Sequence, residues 1–220
     1  MTKYYKARIS KKHGINILAL EFTKAIPMCL MFMRFQEYSE GIRKVRDHNP
    51  MPEGDVMYHY YRKTKKLYHK AGWAGFNLRG DLVNQYRGLS VEYDIPFNIL
   101  ERELIKLIDK HLHMRGNKFF VIAYRKGDKA TRKHELMHAL YYNNPAYKYH
   151  VDKILDKVST KKAGKYLRKL GYRFSGKHGD YIFNDEIQAY VLSDTKKTIK
   201  QFGLSSKTLK KLQKLKRDFF

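Results

Sequence analysis

The 220-residue sequence predicts an α+β fold, on three observations. Short β-forming runs crowd the amino terminus, apolar side chains recur three and four apart between 96 and 112, and helical patterns follow one another after 128. At 43% hydrophobic and 14% aromatic residues, the chain has the material to bury one substantial core.

Taken in order, Tyr4 to Ile9, Ile15 to Phe22 and Met28 to Tyr38 read as strands, the last preceded by Pro27. Residues 39–56, with Gly41, Asn49, Pro50, Pro52 and Gly54, read as a connection, and Met57 to His69 as an aromatic and basic segment. The glycines and single Trp of 71–80 (AGWAGFNLRG) indicate a structured loop. Phe97, Leu100, Leu104, Leu107, Ile108 and His111 form one stripe of a helix from Pro96 to Leu112, closed by Arg115, Gly116 and Asn117. The compact run Lys118 to Tyr124 then reads as a largely buried strand.

Gly127 and Asp128 turn the chain, and Asp128 or Thr131 can cap a helix over 131–142 that stops at Asn143, Asn144 and Pro145. Helices follow over 146–157 and 160–170, with Gly171 as a stop. The apolar piece Tyr181 to Phe183 leads into a helix from Asp185 to Leu192, and Ser205 to Arg217 forms a basic amphipathic helix.

Charge is the unusual property: 46 Lys and Arg against 21 Asp and Glu give +25. It is densest at the carboxyl end, where residues 195–220 hold nine basic side chains and one acidic one. Such a surface attracts phosphate or acidic proteins but says nothing about fold. No helix-turn-helix, zinc-finger or RNA-binding signature accompanies it, so nucleic-acid contact is expected to be to the backbone and salt-sensitive. The lone Cys29 excludes an internal disulfide framework and Cys-rich zinc modules. With no signal-like amino terminus and no apolar run long enough for a bilayer, the expectation is a soluble intracellular protein without a membrane span.

The chemistry concentrates at His134-Glu135-Leu136-Met137-His138, an HExxH arrangement. One helical turn separates the two imidazoles, so both can converge on one Zn²⁺. Glu135 stands beside them, placed to take a proton from an attacking water as a general base. The alternative for such a pattern is two histidines on a solvent-facing turn. A hydrolytic zinc site needs a third protein ligand. A metzincin-type extension would need Gly at 141 and His at 144, where the chain has Tyr141 and Asn144. Glu186, at the start of a later helix, is the preferred third ligand, with His150, Asp185 and His178 as alternatives. Lys118 to Tyr124 could offer a strand edge to an extended substrate. Tyr190, Tyr142, Tyr147 and His178 are candidate donors to a developing oxyanion.

HELMH followed at a distance by Glu186-Ile187-Gln188-Ala189-Tyr190 resembles the gluzincin pattern of zincin-type peptidases, and also the compact ImmA/IrrE-type metallopeptidases. The resemblance implies zinc bound by His134, His138 and Glu186, Glu135 as general base, and a peptide or protein substrate. It also implies a single zincin-like domain over 1–195, β-rich over 1–56 and mostly helical over 57–195 with the strand 118–124. Residues 196–220 would form a basic helical extension. Thermolysin-like groups often place an Asp four residues after the third ligand to orient a histidine; here that position is Tyr190.

A second resemblance rests on Phe32 to Tyr38, Gly72 to Asn77, Phe120 to Tyr124 and the HELMHALYY run. Together these are similar to small uncharacterised proteins of tailed phages and large DNA viruses, over most of residues 28–192. It implies a viral origin, with the host cytoplasm or the virion as location and capsid proteins as partners. It carries no activity. The competing reading is therefore a basic virion-associated protein, structural or nucleic-acid binding, on an inactive zincin-like scaffold.

Overall fold

A computed structural model describes residues 4–12, 15–40, 50–70, 72–111, 119–156, 160–170, 177–193 and 200–219. The expected helix end at Arg115 to Asn117, the stop at Gly171 and most of the connection at 41–49 lie outside them. The architecture is α+β: a four-stranded mixed sheet belongs to the amino-terminal side, and the carboxyl-terminal side is helical. Two compact units divide the chain, residues 1–128 and 129–220. Among the described residues no helix is long and apolar enough to cross a membrane.

In the first unit β1 (Tyr5–Lys12) and β2 (Ile15–Phe22) form an antiparallel hairpin. β4 (Phe119–Arg125) runs parallel to β2, and β3 (Gly75–Arg79) closes the sheet antiparallel to β4, giving the order β1-β2-β4-β3. Leu18, Leu20, Phe22, Phe76, Leu78, Val121 and Ala123 enter one core with α1 (Ala25–Glu40). The alternate residues Ile17, Ala19, Phe120, Ile122 and Tyr124 are buried as well. Burial on both faces explains why β4 reads as an unbroken apolar run.

Three expectations are corrected here. Met28 to Tyr38 is helix, not strand: it lies within α1. Every residue from Met31 to Tyr38 is buried, so the helix shows no polar face and no 3.6-residue period. Pro27 falls in its first turn, where a missing N–H costs nothing. The 71–80 segment contains a strand, β3, whose Phe76 and Leu78 alternate inward. And β4 is an interior strand, flanked by β2 and β3, so it offers no edge to a substrate; its aromatics are core.

The helices α2 (Glu53–Thr64), α3 (Gly80–Glu92) and α4 (Ile99–His111) complete the unit, with α1 packed against all three. α4 opens with a reciprocal cap: Glu101 N–H donates to Asn98 Oδ1 at 2.8 Å and Asn98 N–H to Glu101 Oε2 at 2.9 Å. The same carboxylate takes a two-pronged contact from Arg34, with Nε to Oε1 at 2.8 Å, and both side chains are at most 2% exposed. Pro96 and Met51 carbonyls accept two more guanidinium protons. Breaking one side of a buried pair strands the other charge. Arg34→Met should therefore lower stability by about 3–5 kcal/mol in urea titration, and the double variant Arg34→Met, Glu101→Leu by clearly less.

The second unit consists of α5 (Lys129–Asn143), α6 (Pro145–Leu155), α7 (Thr160–Lys169), α8 (Lys177–Ser193) and α9 (Ser206–Phe219). Asn144 caps α6, accepting from Tyr147 N–H at 3.0 Å, and Pro145 occupies the first position. α8 begins eight residues before the expected Asp185 and absorbs Tyr181 to Phe183. α9 buries Leu212 and Leu215 while Lys207, Lys210, Lys211, Lys214 and Arg217 are exposed.

Candidate metal centre

α5 and α8 pack together and with α6, burying Met137, Ala139, Leu140 and Tyr141 of α5 and Ile187, Ala189 and Val191 of α8. A polar hub holds the three helices in register. Asp152 of α6 accepts from Tyr141 Oη at 2.5 Å, Asn184 Nδ2 at 3.0 Å and Lys148 Nζ at 2.6 Å. Its negative charge and the burial of the phenol push the Tyr141 hydroxyl far above its ordinary pKa, burial being the larger cause.

This packing sets Glu186 opposite the two motif histidines. His134 Nε2 and His138 Nε2 stand 3.0 Å apart. Glu186 Oε2 is 3.7 Å from His134 Nε2, and Oε1 is 3.8 Å from His138 Nε2. Ligand atoms at about 2.0–2.1 Å around a tetrahedral ion are separated by about 3.3 Å, so the three observed gaps bracket that spacing. Among the described residues, these three side chains form the group whose potential ligand atoms all lie within 4.8 Å of one another. His138 is 3% exposed and His134 14%, which removes the solvent-facing alternative for the motif.

Asp185, considered from the sequence as a third ligand, stands elsewhere. Its Oδ2 is 2.9 Å from Nδ1 of His138, on the far side of the ring from Glu186. A carboxylate there requires a proton on Nδ1, so Nε2 is the nitrogen left for the cluster. Asp185 is positioned in turn by Gln188, whose Nε2 donates to Asp185 Oδ1 at 3.0 Å and to the Met137 carbonyl at 3.1 Å. Gln188 Oε1 accepts from Tyr147 Oη at 2.9 Å. Tyr147 and Gln188 are fully buried, and Asp185 nearly so. The chain Tyr147–Gln188–Asp185–His138 thus takes the orienting role for which the sequence shows only Tyr190, four residues after Glu186.

Tyr190 instead packs its ring on His134, with centroids 4.5 Å apart. Tyr147 is committed to Gln188 and is no oxyanion donor. His150 is exposed, its ring 6.2 Å from Phe219, and the side chain of His178 lies outside those described. Glu135 is buried at 6% exposure and close enough to His138 for its charge to raise the ring's pKa.

The two histidines titrate in opposite directions. Burial lowers His134 well below its ordinary value, the neighbouring His138 charge lowers it further, and a backbone hydrogen bond at Ala189 acts the other way. Burial would lower His138 too, but Asp185 and Glu186 outweigh it and push the ring up to about 10. Without a metal, a protonated His138 faces a neutral His134 across the 3.0 Å gap. That gap is short enough for a proton to be shared between the two Nε2 atoms.

No protein-family model, curated protein or solved structure matches the chain.

Proposed function

We propose that the chain is a zinc-dependent peptidase of zincin type, binding one zinc through His134, His138 and Glu186. The observation that carries this reading is the convergence of those three side chains, with Asp185 holding the outer nitrogen of His138. Two imidazoles and one carboxylate suit Zn²⁺ and leave a position for substrate or water. Zinc, when bound, supplies Lewis acidity that acidifies water and polarises a carbonyl.

The chain's own residues do the rest. Glu135, adjacent to His134 and largely buried, accepts the proton of the attacking water and returns it to the leaving amine. Asp185 keeps His138 in the tautomer that presents Nε2. Tyr190 packs its ring at a tilt against His134 and helps to fix that imidazole.

Metal analysis tests the reading first. Purified protein should carry about one zinc per chain, and the variant His134→Ala, His138→Ala should carry none while keeping its helical circular dichroism. Zinc retained by that variant would exclude the site.

A further inference from the structure

The aromatic and basic segment at 57–69 has no part in the metal site. In α2 the inward side chains Val56, Met57 and Tyr60 join the core of the first unit, with Tyr60 against Tyr68 at 4.6 Å between ring centroids. Tyr58 and Tyr61 do not. They are 56% and 48% exposed, three residues apart and hence neighbours on the outer face of the helix. Arg62 lies over the Tyr58 ring, 5.8 Å from its centroid, and Arg62, Lys63, Lys65 and Lys66 are all exposed. The acidic side chains of this helix, Glu53 and Asp55, are confined to its first turn. The helix dipole accounts for Arg62 and Lys63 in the last turn. It does not account for two large rings left in water beside them.

We propose that the outer face of α2 is a platform for single-stranded nucleic acid, with bases stacking on Tyr58 and Tyr61 and phosphates paired with Arg62, Lys65 and Lys66. Flat rings interleaved with cations match unstacked bases on a charged backbone, and the +25 of the chain adds long-range attraction. A duplex keeps its bases stacked and offers these rings nothing to stack on. A bilayer fits less well, because the outer face holds Gly54, Asp55, Tyr58, Tyr61 and Arg62. The exposed aliphatic side chain nearby, Leu67, lies beyond the helix end.

Fluorescence anisotropy with labelled oligo-dT tests this. The full chain should bind oligo-dT more tightly than a duplex of equal length. Tyr58→Ser, Tyr61→Ser should weaken binding at least about tenfold with an unchanged salt slope, and Tyr58→Phe, Tyr61→Phe should retain it. Arg62→Gln, Lys65→Gln, Lys66→Gln should reduce the slope of log affinity against log salt by about 2. Wild-type affinity in the serine variant, equal binding of duplex, or tighter binding of phosphatidylserine vesicles or polyglutamate would each overturn the proposal.

Discussion

Glu135→Gln is expected to keep its zinc and lose peptide hydrolysis by about 10²–10⁴-fold, the usual contribution of a positioned general base. Gln has nearly the same shape and can still hydrogen-bond, so the buried surroundings of residue 135 tolerate it. What it lacks is a lone pair basic enough to take a proton from water. Turnover of a quenched fluorescent peptide library, read beside zinc content for wild type and variant, makes the comparison. A variant as active as wild type would remove Glu135 from the mechanism. Equal inertness of the two zinc-loaded proteins would favour a scaffold that holds metal without hydrolysing peptides.

The second large effect concerns metal uptake. His138 carries its extra proton up to about pH 10, so loading must expel it. Apparent zinc affinity, measured against a competing chelator, should rise about tenfold per pH unit between pH 6.5 and 8.5, with one proton released per ion. Asp185→Asn should weaken zinc binding by about 10–100-fold once proton competition at His138 is corrected for, since it loosens the orientation of His138. It also removes a charge that raises the ring's pKa, so the rise of affinity with pH should level off at a lower pH than in wild type.

The same shifts give the metal-free protein a stability optimum. The raised His138 contributes stability that is fully present below the unfolded-state value of about 6.5 and is lost as pH climbs through about 10. The lowered His134 contributes above about 6.5 and loses its contribution as pH falls toward its depressed value. Their sum peaks near pH 6.5, and thermal melts of the chelator-treated protein across pH 5–9 should show it.

The site was more legible in the sequence than the sheet, for a physical reason. Two histidines one turn apart must share a helix face, and an acid in the buried second helix is a short search from them. Asp185 was visible as a candidate, but whether it meets the inner or outer nitrogen of His138 depends on how α8 is rotated against α5, which no spacing states. Gln188 and Tyr147 give no signal at all until that rotation is known. In the first unit, α1 reads as a strand because burial of every residue from 31 to 38 erases its period. β3 was missed because its glycine-flanked five residues are too few to show alternation clearly. The 118–124 run was identifiable as a buried strand, yet its interior place follows from pairing with β3, forty residues earlier.

The parallel pairing of β2 with β4 also sets a schedule for synthesis. β2 ends at Phe22 and its partner begins at Phe119, so the ribosome must add nearly a hundred residues before the hairpin is covered. At about 5–20 residues per second that interval lasts roughly 5–20 seconds. During it, the hairpin edge that will meet β4 presents unpaired N–H and C=O groups beside Leu18 and Leu20, the kind of strand edge that recruits other chains. The nascent protein thus passes through a window in which a chaperone, or a crowded cell, decides how much of it reaches the native sheet.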